Sequence, residues 1–148
     1  EIKPGIKIDQ MIQNLDFAPT LLDYANISPS EEIQGLSFRD VVNQNQSNWR
    51  DAIYYTYYEF PSVHMVKRHY GIRTDRYKLI HFYFDIDEWE LYDLKKDPKE
   101  MNNLYNDPKL KSVQKSLHKK LNELRKYYGD SDSLNKFHIN SYLSKMKN

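Results

Sequence analysis

Between residues 108 and 128, apolar side chains return every three or four positions, at Leu110, Val113, Leu117, Leu121, Leu124 and Tyr128. Lys109, Lys111, Lys115, Lys119 and Lys120 fall largely off that stripe. This is the period of an amphipathic helix. Asp107-Pro108 supplies its start, with Pro where a missing N–H costs nothing, and Gly129 its stop. At a rise of about 1.5 Å per residue it reaches roughly 31 Å, enough to cross one face of a four-stranded sheet.

Upstream the texture changes to strand. Ala52 to Tyr58, Met65 to Arg73, Tyr77 to Phe84 and Glu88 to Leu94 are dense in aromatic and β-branched residues, which predicts four strands. With little helix between them, they form an antiparallel sheet. The break at Arg73-Thr74-Asp75-Arg76 reads as a two-residue hairpin, which pairs Arg73 with Arg76, Tyr70 with Leu79, Arg68 with His81 and His69 with Ile80. Val66, Tyr70, Ile72, Tyr77 and Leu79 then share the buried face. Asp97-Pro98-Lys99-Glu100 predicts a short helix after the last strand.

The first third of the chain is different. Asp16 is placed to cap a helix over Phe17–Ala25, with Pro19 in its first turn and Asn26 as a left-handed stop. Phe17, Leu21, Leu22 and Ala25 form an apolar stripe that needs a partner surface. Residues 6–12 read as a strand or connector, Phe38 to Val42 as a second small helix, and Asn43 to Asn48 as a polar linker. The expected organisation is residues 1–48, residues 49–130 with the sheet and long helix, and a polar tail at 131–148 that docks a short helix through Phe137, Ile139, Tyr142 and Leu143.

Charge and composition narrow the chemistry. Twenty-two basic against 21 acidic residues give a net +1, so overall charge favours neither nucleic acid nor a membrane surface. The distribution is uneven, with residues 63–83 and 109–148 net basic and residues 1–62 and 84–108 net acidic. No apolar run approaches the length of a membrane span. With no cysteine, disulfides, thiolate catalysis and cysteine-zinc sites are excluded.

His64 and His69 lack the spacing that converges two imidazoles on one metal, and His118 sits within the long helix without a sequence partner. No metal site is expected. Asp85-Ile86-Asp87-Glu88 lacks the glycine and terminal Glu of a calcium loop. Neither a phosphate-cradling glycine loop nor a serine elbow occurs. Lys67, Arg68, Arg73, Arg76 and Lys78, interleaved with Tyr70 and Tyr77, are either an anion-facing set or a row of solvated strand charges.

Four strings in order carry a family resemblance. Asn14-Leu15-Asp16-Phe17-Ala18-Pro19-Thr20-Leu21-Leu22 resembles the D-x-x-P-T-L helix near the end of the large domain of sulfatases, and Gln34-Gly35-Leu36-Ser37-Phe38 their following G-x-S-F/L segment. Tyr70-Gly71-Ile72-Arg73-Thr74-Asp75-Arg76-Tyr77-Lys78-Leu79-Ile80 resembles their R-T-x-x-Y-K-L-I hairpin. Glu90 to Leu94, Asp97-Pro98, Glu100 and Asn103-Leu104 resemble their E-L-Y-D-L-x-x-D-P-x-E-x-x-N-L strand and cap.

The chain therefore resembles the C-terminal part of a formylglycine-dependent sulfatase, of alkaline-phosphatase-like parentage. The resemblance implies an α+β subdomain, a four-stranded antiparallel sheet with a long helix on one face, preceded by short helices from the end of the large domain. It implies a parent that hydrolyses sulfate esters on a glycan, uses calcium and formylglycine, and acts outside the cytoplasm.

The family's nucleophile motif, C/S-x-P-x-R, does not occur in these 148 residues. This chain is thus expected to hold no cofactor or metal, to be an excised piece inactive by itself, and to have the upstream domain and a sulfated carbohydrate as partners, with no nucleic acid. Its expected share of the site is a wall of the substrate cleft, with His64, Arg68 and His69 touching sugar or sulfate. The competing expectation is an independent anion- or glycan-binding module.

Overall fold

The computed structural model describes residues 2–44, 48–61 and 64–145. It divides into two compact units, residues 1–51 and 52–148.

The first unit contains α1 (Phe17–Tyr24) and α2 (Arg39–Val42), with a 3₁₀ turn at Asn14–Asp16 leading into α1. Asn26 stops α1 in the left-handed region at φ 56°. The segment at residues 6–12 is a connector without strand pairing. Part of the linker expected at Asn43 to Asn48 lies outside the described residues.

Asp16 does not cap α1 with its side chain as expected. Its carboxylate instead accepts the amides of Gln13 at 2.7 Å and Leu36 at 2.9 Å, and the forked guanidinium of Arg50 at 2.5 and 2.7 Å. Thr20 relays the same link: its hydroxyl donates to Asp16 O at 2.6 Å and accepts the Phe38 amide at 3.0 Å. Ser37 and Arg39 then bind Asp23. Gly35 lies against the Leu15 backbone, where a Cβ would come within 1.9 Å of the carbonyl oxygen. Any larger residue there separates the two strings.

The buried side of α1 carries Asp16, Pro19 and Thr20, whereas Phe17 is 53% and Leu21 68% exposed. Of the apolar stripe read from the sequence, Phe17, Leu21 and Ala25 therefore face outward, with Phe17 meeting Phe38 edge-on, and Leu22 is half-buried.

The second unit is a meander of β1 (Ala52–Tyr57), β2 (His69–Thr74), β3 (Tyr77–Phe82) and β4 (Glu88–Asp93), all antiparallel and in sequence order. A 3₁₀ turn at Pro108–Leu110, capped by Asp107, leads into α3 (Lys111–Tyr127). Gly129, at φ 71°, ends the turn after α3, and α4 (Asp132–Lys145) follows. Fold class, sheet and long helix are as the pattern predicts. Alternation puts Ala52, Tyr70, Ile72, Leu79 and Leu91 on one face, where Leu117 and Leu121 of α3 cover them.

Two expectations need correction. The β2–β3 register sets Arg73 opposite Lys78, Tyr70 opposite His81 and Ile72 opposite Leu79, two residues from the predicted pairing. The reason is local: the Thr74 hydroxyl accepts the Tyr77 amide at 2.9 Å and donates to its carbonyl at 3.1 Å, which fixes Asp75-Arg76 as the loop. A shift of two preserves the faces, so Tyr70, Ile72, Tyr77 and Leu79 keep their side. Val66 precedes β2 and is exposed. Second, no helix follows β4 at Asp97. Glu100 takes a left-handed φ of 54°, and the Asp97 carboxylate instead holds the amides of Met101 and Asn102 at 2.8 Å.

Candidate functional site

The three residues read from the sequence lie on the approach to β2. His64 is exposed, in a turn. Arg68 is 3% exposed. Its Nε donates to Phe60 O at 2.6 Å, and its guanidinium lies 5.4 Å over the Phe84 ring and 5.7 Å from that of Tyr142. Its carbonyl accepts the Tyr83 amide, which extends the β2–β3 ladder by one step.

His69 begins β2. Nδ1 contacts Lys67 O at 2.8 Å; since a carbonyl only accepts, that nitrogen carries the proton. The ring stacks on Tyr57 and leans on Phe82, its cross-strand neighbours. Arg68 is thus tied to Phe60 and α4, whereas His69 belongs to an aromatic row on the sheet. The structure joins each to the start of β2 but does not gather the three side chains at one point.

The basic set around them is largely spoken for. Lys67 pairs with Asp85, Arg76 with buried Asp93 at 2.9 Å, and Lys78 with Glu100 at 2.6 Å. The Arg76 guanidinium holds the Asp93 carboxyl below its ordinary value, as Lys67 does for Asp85. These cations mainly neutralise the acidic segment at 85–100 rather than present a free anion-binding row.

Two clusters were not legible as sites. Tyr70, His81, Trp89, Tyr105 and His118 converge at one end of the α3-facing layer. His81 stacks on Trp89 at 4.1 Å, His118 meets it edge-on at 4.4 Å, and Tyr105 OH lies 3.1 Å from His118 Nε2. His81 bridges Tyr70 OH at 2.8 Å and Asp87 at 2.7 Å. Burial pushes the Tyr70 hydroxyl up to about 12 and, with the neighbouring His81, holds His118 below its ordinary value. The helix histidine that lacks a sequence partner thus has partners in space.

The second cluster centres on Arg125, 8% exposed and 3.9 Å over the Tyr70 ring. It pairs with Asp130 at 3.0 Å and Asp132 at 2.7 Å, and Tyr54 donates to the same Asp130. Burial opposes its charge, but the carboxylates outweigh it and raise its pKa. One signal was available: Arg125 follows Leu121 by four and so falls in phase with the buried stripe.

The donor set does not fit calcium. Asp16, the fully buried carboxylate, is saturated by Arg50 and two amides, and Asp93 by Arg76. Among the described residues no three His, Cys, Asp or Glu side chains gather as a metal site requires.

Residues 1–127 match the family described as N-sulphoglucosamine sulphohydrolase, C-terminal. The chain belongs to that family and is a C-terminal sulfatase subdomain. It is similar to an N-acetylglucosamine-6-O-sulfatase of Bacteroides thetaiotaomicron, 49% identical over 134 residues, covering 88% of this chain and 24% of that protein. An arylsulfatase of Clostridium perfringens is 35% identical, over 89% of this chain and 27% of its own length. A solved structure, of a protein in complex with its substrate D-glucosamine-2-N,6-O-disulfate, superposes with a TM-score of 0.84 at 49% identity, over 88% of this chain and 27% of that one. The chain therefore spans about a quarter of the length of these relatives. Among the described residues no helix is long and apolar enough to cross a membrane.

Proposed function

We propose that the polypeptide to which this chain belongs hydrolyses sulfate esters on glucosamine-type sugars. Close to half of the aligned residues are identical to those of a relative named for 6-O-desulfation of N-acetylglucosamine, and this observation carries the reading. Formylglycine, calcium and the bond-breaking groups belong to sequence outside this chain, whose own donor set does not fit them. The upstream domain is its covalent partner, and the parent acts outside the cytoplasm.

This chain contributes the approach to β2. His64, exposed, contacts sugar or sulfate, where an imidazole can donate a hydrogen bond to either. Arg68 ties Phe60 to the start of β2, and His69 stacks within the sheet on Tyr57 and Phe82. The test uses the whole encoded protein and follows sulfate release from N-acetylglucosamine 6-sulfate, N-acetylgalactosamine 4-sulfate and a hexuronate 2-sulfate. Preferential release from the first is expected. Release confined to either of the others, or none at all, overturns the substrate assignment.

A further inference from the structure

The solvent face of α3 carries charges that the helix does not need for its own stability. At about 100° per residue, Lys111, Lys115, Lys119 and Lys126 fall within a sector about 80° wide, away from the side that buries Leu117, Leu121 and Arg125. All four lysines are exposed, and so is Asn122, which shares their sector. From Lys111 to Lys126 the row runs about 22 Å along the helix axis.

Helix energetics work against this row. Lys111, Lys115 and Lys119 are like charges one turn apart, which repel. The first turn of α3 holds no acid and starts with Lys111, where the positive end of the helix dipole disfavours a cation. Glu123 meets Lys119 at 3.9 Å, but among the described residues Lys111, Lys115 and Lys126 have no carboxylate partner. On the sheet, by contrast, Lys67, Arg76 and Lys78 are each neutralised by an acid. The row thus keeps its positive charge for something outside the fold.

We propose that this lysine ridge binds a sulfated polysaccharide chain lengthwise, the ammonium groups of Lys111, Lys115, Lys119 and Lys126 meeting its sulfates. The inference rests on the proposed glucosamine-sulfatase reading and extends it from the sulfated sugar to the chain in which such sugars are linked. A lysine ammonium meets a sulfate as a point charge on a flexible stem, which suits a chain whose sulfates are unevenly placed. Asn122 adds an amide that can bond sugar hydroxyls. Nucleic acid suits the ridge less well, because the sector offers no aromatic ring for base stacking.

The test measures binding of a heparin octasaccharide and a heparin disaccharide to the whole encoded protein. The octasaccharide should bind more tightly than the disaccharide, which is too short to span the ridge, and its affinity should fall as salt is added. The triple variant Lys111→Gln, Lys115→Gln and Lys126→Gln should weaken octasaccharide binding by roughly tenfold. Lys95→Gln, Lys96→Gln and Lys99→Gln remove the same charge from exposed positions after β4 and should weaken it by less than about twofold. In the unaltered protein the octasaccharide should also shield Lys111, Lys115 and Lys126 from acetylation by an activated ester, a readout that needs no variant.

No octasaccharide binding, equal losses in the two triple variants, or α3 lysines acetylated as fast with the octasaccharide as without it overturn the ridge. Equal affinity for a single-stranded oligonucleotide of matched charge, lost in the same variant, overturns the choice of polysaccharide. A protein that binds the octasaccharide through the ridge yet releases no sulfate from glucosamine sulfates overturns the substrate reading and leaves the ridge standing.

Discussion

The two units reach order by opposite means. In the first, buried Asp16 gathers Gln13, Leu36 and Arg50, and the strings around it carry exposed Phe17, Leu21 and Leu36. In the second, Ile72, Leu79 and Leu91 of the sheet are sealed under Leu117 and Leu121, while the buried charges Arg68, Asp93 and Arg125 each bind a polar partner of their own. A polar hub specifies geometry because each bond has a direction, whereas an aliphatic layer supplies stability by removing area from water. The first unit thus exposes large apolar side chains while a carboxylate lies at its centre, with Val41 and Val42 as its buried aliphatics.

The largest expected effect breaks the hub. Asp16→Ala leaves Arg50 and two amides unpaired and should cost the first unit about 3 kcal/mol or more. The two tryptophans separate the units. Trp49, which donates to Met11 O at 2.8 Å, reports the first, and Trp89, stacked on His81, the second. Urea unfolding of single-tryptophan variants should show Asp16→Ala shifting the Trp49 transition and sparing that of Trp89. Equal shifts would dissolve the distinction between the units.

Next in size is the converse. Leu121 is 1% exposed beneath the sheet, and Leu121→Ala should cost the second unit about 3 kcal/mol through lost transfer energy and a residual cavity. Here the Trp89 transition should move and that of Trp49 should stay.

Acid should also separate the units, in different pH windows. For Asp16, burial raises the pKa, but the Arg50 pair and the Leu36 and Gln13 amides outweigh it and leave the value lowered. Its contribution is present above the unfolded value, about 4, and is lost as pH falls below it through the folded value. For His118, burial and then His81 lower the pKa. The unfolded state therefore takes up protons first, and stability present above about 6.5 declines as pH drops toward the folded value. The second unit should weaken between neutral and mildly acidic pH, while the first holds until pH about 4. His118→Gln should flatten the earlier loss. Stability that does not change with pH down to about 5 in the wild type would contradict the assignment of His118.

How much of this was legible depends on how local each cause is. The α3 stripe follows from periodicity and the four strands from residue type within one element, and they stand where the pattern put them except that β2 begins at His69 rather than Met65. The hairpin moved by two residues because a single Thr74 hydroxyl chose the loop, a choice that periodicity does not encode. Asp97-Pro98 has the start of a helix, yet Glu100 turns left-handed there. Asp16 looked like a helix cap because the capping signal is local, whereas its true partner, Arg50, lies 34 residues away. The convergence of His81 and His118 on Trp89, and of Tyr142 on Pro61, required the sheet to be closed first. For the candidate site, sequence singled out the approach to β2 but not the opposite directions that Arg68 and His69 take, which follow from strand geometry once β2 begins at His69.

The smallest expected effect tests whether ion pairing as such, or its burial, organises the molecule. Lys119 and Glu123 lie one turn apart on the outer surface of α3, 3.9 Å from each other, with side chains 79% and 62% exposed. In water the pair gains little Coulomb energy and must hold two long side chains in one arrangement, so Glu123→Ala should cost no more than about 0.5 kcal/mol and fade with added salt. Asp16–Arg50 joins the same kinds of charge at 2.5 Å where the carboxylate is sealed from solvent. There the amides that share it leave no room for water to substitute. The ratio of the two costs, read from the Trp89 and Trp49 transitions at low and high salt, should be several-fold and should widen as salt is added. If the surface pair proved as costly as the buried one, directed burial would not be what separates the two units.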